Sequence, residues 1–176
     1  MAEVCILATG GTIDKEHDPI SEELIFHNTS HIPSMLNEFR VEKIPYEVIM
    51  LKDSLDFTAD DRSVVTLAAK HNPHENIVIT HGTSTMAETA AAIAVENLAK
   101  TIVLTGAMRP FSLFKSDAGF NLGGALIAAQ TLPHGVYIVM NGRVFTADDV
   151  TKDTTLGKFT RPSRQEHPSL AKPLKC

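Results

Sequence analysis

Five short apolar or β-branched runs punctuate the chain: Val4 to Ala8, Tyr46 to Leu51, Ile77 to Thr80, Ile102 to Thr105 and Val136 to Met140. Runs of this kind suit strands buried on both faces of a parallel sheet, where neither side needs polar residues. The segments between them carry apolar residues at helical spacing. Thr58 precedes Asp60-Asp61, and Val64, Val65, Leu67 and Ala68 follow. Thr85-Met86-Ala87-Glu88 has the spacing of a capping box ahead of Thr89 to Ala99. Ser116-Asp117 opens a third helical segment that runs to about Thr131, and Ser30 opens a shorter one with Met35, Leu36 and Phe39.

Strand and helix alternating in this way predict an α/β fold. It is a single doubly wound domain over residues 1–160, with a mostly parallel five-stranded sheet and helices on both faces, since every parallel connection must cross over. The strand order expected for five such strands is 2-1-3-4-5, which makes the first and third neighbours and opens a crevice at their carboxyl ends. Lys15 to Thr29 is long, polar and without a clear period, as a lid would be. From Arg161 onward Pro162, Pro168 and Pro173 stand among mixed charges with few apolar residues. Residues 161–176 are therefore expected to form a poorly ordered tail or an arm on a neighbouring subunit.

The ends of the first and third runs carry the chemistry. Thr9-Gly10-Gly11-Thr12-Ile13 follows one, and Thr80-His81-Gly82-Thr83-Ser84-Thr85 ends the other. A threonine hydroxyl is a weak nucleophile that needs a nearby base and donors aimed at a developing oxyanion, and glycine turns supply such donors through backbone N–H groups. The same residues also read as turn glycines with threonines that cap helices or cradle a phosphate. Pattern alone leaves both readings open.

Composition narrows the partners. The chain has 176 residues, 43% hydrophobic and 21% charged, with a formal net charge of −5. Those values fit a globular protein with a substantial core and offer no basic footprint for nucleic acid. The apolar run Ala90 to Val95 falls far short of the roughly 20 residues that span a bilayer. Cys5 inside an apolar run and Cys176 at the end suggest no disulfide framework, and the cytoplasm is the expected location. Pairs of histidines at His71 and His74, and at His27 and His31, lack a third ligand at metal-site spacing. Gly119, Gly123 and Gly124 interrupt a helical pattern and suggest close packing against another backbone, such as a subunit contact. No dinucleotide or P-loop phosphate-binding signature and no nucleophile elbow occurs.

Taken in order, Ile6-Leu7-Ala8-Thr9-Gly10-Gly11-Thr12-Ile13, Thr80-His81-Gly82-Thr83, Thr105-Gly106-Ala107-Met108-Arg109-Pro110, Val139-Met140-Asn141 and Asp149-Val150-Thr151-Lys152 resemble the bacterial L-asparaginases, in a short-chain form without the carboxyl-terminal domain. The resemblance implies metal-free and cofactor-free hydrolysis of the side-chain amide of L-asparagine through an acyl-enzyme, in a homo-oligomer. It makes Thr12 the nucleophile, Thr83 and Lys152 the pair that handles protons, and Ser54 the holder of the substrate carboxylate. Gly11, Asp53, Gly82 and Ser84 line the binding site on the same reading. Three features depart from the family pattern. Ser84 stands where an aspartate is usual, so Asp53 or Asp56 is the expected substitute countercharge. The lid segment contains no tyrosine, and no second domain supplies an acidic group. A non-catalytic module that holds an amino acid or anion, and an inactive piece of a longer enzyme, are the rival readings.

Overall fold

The computed structural model describes residues 3–41 and 43–162. Strand β1 (Val4–Gly10) leads through a 3-10 turn (Thr12–Asp14) into a small hairpin of β2 (Lys15–His17) and β3 (Leu24–Phe26). Helix α1 (Ile32–Glu38) and β4 (Tyr46–Lys52) follow, then a second 3-10 turn (Ser54–Asp56) and α2 (Ala59–His71). Next come β5 (Asn76–Thr80), α3 (Met86–Val95), β6 (Thr101–Thr105) and α4 (Ala118–Thr131). The described chain closes with β7 (Gly135–Met140), β8 (Arg143–Thr146), β9 (Thr151–Asp153) and β10 (Lys158–Thr160).

The main sheet runs β4-β1-β5-β6-β7-β8. Its first five strands are parallel and occur in the order 2-1-3-4-5 expected for the five apolar runs. Successive side chains of a strand point to opposite faces, so each strand feeds two cores. Ile6, Ala8, Val78, Val103 and Val139 meet Met35 and Leu36 of α1 and Leu122, Ala125 and Ala129 of α4 on one face. Leu7, Ile77, Ile79, Ile102, Leu104 and Ile138 meet Val65 and Ala69 of α2 and Met86, Ala90 and Ile93 of α3 on the other. Helices cover both faces, as the alternating pattern predicts.

Three expectations need correction. The sheet has six strands rather than five, because β8 adds an antiparallel edge. It returns through Asn141-Gly142, whose φ values of 51° and 74° are those of a two-residue hairpin turn. The expected capping box at Thr85 does not form: no side chain caps α3, because the Thr85 hydroxyl donates instead to Ser54 O at 2.7 Å and Glu88 pairs with Arg62 at 2.6 Å. At α2, by contrast, Thr58 and Asp61 form the reciprocal pair. Lys15–Thr29 is not a plain loop, since Lys15 to Phe26 folds into the β2–β3 hairpin closed by Asp18, which accepts from Ile20 N and Ser21 N. At the start of the expected tail, the Arg161 guanidinium donates to Val144 O at 2.8 Å. Residues 163–176 of that tail lie outside the described residues.

The three helical glycines behave differently from one another. Gly119 packs against the Phe39 ring and Gly124 against Val139, whereas a side chain at Gly123 would meet nothing within 4 Å. Among the described residues no helix is long and apolar enough to cross a membrane.

Candidate active site

Parallel pairing of β1 with β5 places Ala8 opposite Thr80, so the two threonine turns leave the sheet side by side. Thr9 is fully buried and its hydroxyl donates to Thr80 O at 2.7 Å, which locks the strand ends together. Beyond it Gly11 adopts φ 80°, ψ −178°, a conformation open essentially only to glycine. A methyl group added there would stand 2.5 Å from Gly82 Cα and 2.7 Å from His81 C. A methyl at Gly82 would stand 2.5 Å from Ser54 Oγ. Gly11, Gly82 and Ser54 thus stack closely, one from each of three loops.

Ser54 is buried at 1% exposure and bound to the second turn twice, through Thr85 N to its Oγ at 3.4 Å and Thr85 Oγ1 to its carbonyl. His81 stiffens the same turn from beneath. Its Nδ1 lies 2.8 Å from Gly82 O, which can only accept, so Nδ1 carries the proton and Nε2 accepts from Thr89 Oγ1 at 2.9 Å. Burial pushes the His81 imidazole down to about 4, against the Gly82 hydrogen bond, so the ring is neutral at neutral pH. It stacks edge-on against Phe57 at 4.5 Å.

Thr83 is buried, and Lys152 Nζ donates to its hydroxyl at 2.7 Å. The lysine arrives on the β9–β10 hairpin, where it faces Phe159 across the strands. Burial pulls its pKa below the ordinary lysine value, and the negative charge of Asp53 opposes that pull. Asp53 itself feels burial upward, but the hydrogen bond from Lys15, the Leu55 N–H and the charges of Lys15 and Lys152 outweigh it and hold the carboxyl below its usual range. Lys15 Nζ meets Asp53 Oδ2 at 2.5 Å and lies over the Phe26 ring of the β2–β3 hairpin.

The residues singled out from sequence therefore converge. Gly11, Gly82, Ser54 and Thr83 share one cluster, with Lys152 and Asp53 reaching it from either side. Thr12 follows Gly11 on the 3-10 turn, half-buried, and its hydroxyl makes no hydrogen bond among the described residues. Ser84 is exposed beside Thr83. Three contributors are not apparent from pattern: Lys15, whose partner lies 38 residues away, His81, and Thr85 as a strut rather than a cap. Two histidines of the weaker clusters, His27 and His31, both pair with Glu16, at 3.2 and 3.0 Å. Among the described residues no group of three or more histidine, cysteine or acidic side chains is placed to hold a metal ion.

Fold and site together define a doubly wound α/β protein with a hydroxyl-and-lysine site at the switch point between β1 and β5. Residues 3–171 match the family described as "Asparaginase, N-terminal", and the chain belongs to that family. It is 31% identical over 161 residues to L-asparaginase 1 of Escherichia coli (strain K12), a match covering 85% of this chain and 47% of that one. It is likewise 31% identical over 153 residues to a component of the glutamyl-tRNA(Gln) amidotransferase of Pyrococcus furiosus, covering 79% of this chain and 33% of that one. Among solved structures, the thermostable L-asparaginase from Thermococcus kodakarensis superposes with a TM-score of 0.79 at 29% identity, over 90% of this chain and 51% of that one. The chain thus spans about half the length of these two L-asparaginases.

The glycine contact yields a direct prediction. Gly11→Ala should destabilise the protein by about 1–3 kcal/mol from backbone strain alone. Gly123→Ala, with open space around it in a helix, should stabilise by up to about 1 kcal/mol. Urea unfolding of both variants checks the contrast.

Proposed function

We propose that the chain is an amidohydrolase that hydrolyses the side-chain amide of L-asparagine to a carboxylate and ammonia through a threonine acyl-enzyme. The observation that carries this reading is the 2.7 Å bond between a buried threonine hydroxyl and a partly buried lysine, one glycine contact away from Thr12. Thr12 Oγ1 attacks the amide carbon, and backbone N–H groups of the two glycine turns stabilise the oxyanion. Thr83 and neutral Lys152 take up the hydroxyl proton and return it to the leaving nitrogen as the C–N bond breaks. Water then hydrolyses the ester. Gly11, Gly82, Ser54, Asp53 and Ser84 shape the pocket that orients the substrate. Family membership supports the amide chemistry, while relatives named both as asparaginases and as part of an amidotransferase support the amide more than any one donor molecule.

The active form is a homo-oligomer in the cytoplasm. Exposed Phe120 and Ile127 on α4, with Val144 on β8, support assembly with a second copy, and Cys5, a buried free thiol among the described residues, supports a reducing compartment. One observation favours a second reading, a non-catalytic binding module: the Thr12 hydroxyl has no hydrogen-bond partner among the described residues.

Thr12→Ala should reduce ammonia release by about 10³-fold or more while the melting curve stays unchanged; full activity in that variant refutes the mechanism. Heat of ligand binding in the unmodified protein with no ammonia would establish the binding module instead. Because a lysine base acts only when neutral, the rate should rise with pH and reach its plateau below the range of a free lysine near ~10.4. Asp53→Asn removes the charge that raises the Lys152 pKa, so the acidic limb of the kcat profile should move to lower pH. An upward or absent shift would exclude Lys152 as the base. Sedimentation velocity at micromolar concentration should show a species larger than one chain, and a monomer would refute the oligomer.

A further inference from the structure

The segment that holds the β2–β3 hairpin has two roots. The first is the 3-10 turn Thr12–Asp14, closed by Asp14 N donating to Gly11 O at 3.0 Å and by Lys15 N donating to Thr12 O. The second is the Ser30-His31 step, directly ahead of α1. Between them the hairpin brings Lys15 and Phe26 beside Asp53. Whatever joins the roots makes the hairpin and the Thr12 turn a single unit.

The buried polar link is the Asp14 side chain. It is 1% exposed, and its Oδ1 accepts from Ser30 Oγ at 2.8 Å and from His31 N at 2.7 Å, across 16 and 17 residues of sequence. Ser30 is itself buried, and its Oγ accepts from the N–H of Ile32, the first residue of α1, at 3.2 Å. Ile13 shares a core cluster with Ile32 and Met35, so the turn rests on α1 while the carboxylate grips the step before it. Removing the acceptor would leave two shielded donors unsatisfied. Asp14 Oδ2 has no hydrogen-bond partner among the described residues, so one oxygen carries both bonds. Burial raises the Asp14 pKa, against the bonds from His31 and Ser30 and the charge of His31, so the position favours a neutral group. Asparagine can present its single carbonyl oxygen to the same donors, whereas leucine has the same branched skeleton and no acceptor.

Other ties hold one root only or lie nearer the surface. Lys15 pairs with Asp53, and Ser112 Oγ donates to Lys15 O at 3.0 Å, both at the first root. Glu16 reaches His31 at 3.0 Å and His27 at 3.2 Å, but with Glu16 38% and His27 53% exposed these pairs contribute little. Phe111 touches both roots through a long bond from its N–H to Ile13 O at 3.4 Å and a tilted ring contact with His31 at 5.6 Å.

Resting on the amidohydrolase reading, we propose that Asp14 is a positioning residue: it locks the two roots of the β2–β3 segment together and so fixes the turn from which Thr12 attacks. Its buried carboxylate, turned to Ser30 and His31, acts through the turn rather than on the substrate. Ammonia release from L-asparagine is measured for the full chain and for Asp14→Leu, Ser30→Ala and Asp14→Asn, each at a temperature where circular dichroism shows the folded baseline. Asp14→Leu should lower kcat by roughly tenfold or more with KM changed by less than about threefold, since a misplaced nucleophile slows the chemical step. Asp14→Asn should recover most of that loss. Ser30→Ala should lower kcat by roughly threefold or more, and its loss should not add to that of Asp14→Leu in the double variant. A kcat within about twofold of the unmodified chain in folded Asp14→Leu overturns the inference, as do a loss confined to KM, a loss that Asp14→Asn fails to restore, or additive losses. If Asp14→Leu does not fold, an unchanged kcat in Ser30→Ala overturns it. Hydrogen–deuterium exchange reads the lock without turnover: protection at residues 12–15 and 30–32 should fall together in Asp14→Leu and Ser30→Ala and be kept in Asp14→Asn. That result supports the lock even if the unmodified chain releases no ammonia, which would sink the catalytic reading alone. Protection that is unchanged, or lost at one root only, overturns it.

Discussion

Everything at the candidate site depends on the backbone contact between Gly11 and Gly82. Parallel pairing of β1 with β5 brings two strand ends to the same height, but strand spacing alone holds neighbouring backbones about 4.8 Å apart. Closing the turns to van der Waals contact requires that neither residue carry a Cβ and that Gly11 adopt a conformation other residues avoid. Thr9, bonded to Thr80 O beneath the contact, holds the two strands in register as the turns lean together. The neutral His81 ring serves the same end: a charged imidazole at full burial would need a counter-ion, and the protein keeps it neutral between a carbonyl and a hydroxyl.

A second constraint is electrostatic. Lys15, Asp53 and Lys152 form a chain of alternating charge around the cluster, and the middle carboxylate links two lysines with different surroundings. Lys15 has a short ion pair and an aromatic ring beneath it, whereas Lys152 has burial and a threonine hydroxyl. One lysine is thus bound in an ion pair, and burial pushes the other toward the neutral form. A lysine whose pKa burial lowers is suited to proton handling.

The parallel sheet was legible because strands buried on both faces are uniformly apolar, and the strand order and the meeting of the two threonine turns followed from that. Short elements were not legible. Three residues of β2, β3, β9 or β10 cannot display a period of two. The β8 strand had a usable signal in Asn141-Gly142, which is the strongest short-range mark of a hairpin. Thr85-x-x-Glu88 failed for a different reason: tertiary partners displaced the local cap, Ser54 O taking the hydroxyl and Arg62 the carboxylate. Lys15 was invisible because an ion pair spanning 38 residues leaves no trace in local pattern, whereas Lys152 was found only through its place among several motifs in register.

The antiparallel edge that breaks the parallel pattern is also what delivers Lys152. The Asn141-Gly142 turn sends β8 back along β7, and alternation on that short strand turns Phe145 into the core at 2% exposure while Val144 and Thr146 face out. Phe145 gives Phe159 of β10 a ring to pack on at 6.3 Å, and Arg161 fastens the end of β10 to Val144 O. Phe159 in turn is the cross-strand partner of Lys152. A two-stranded hairpin of three residues a side is too small to be stable alone, so its position depends on that buried ring and on the Arg161 bond. The lysine therefore reaches Thr83 through the packing of two phenylalanines, and the precision of its 2.7 Å bond is set by an edge strand that contributes no residue to the site.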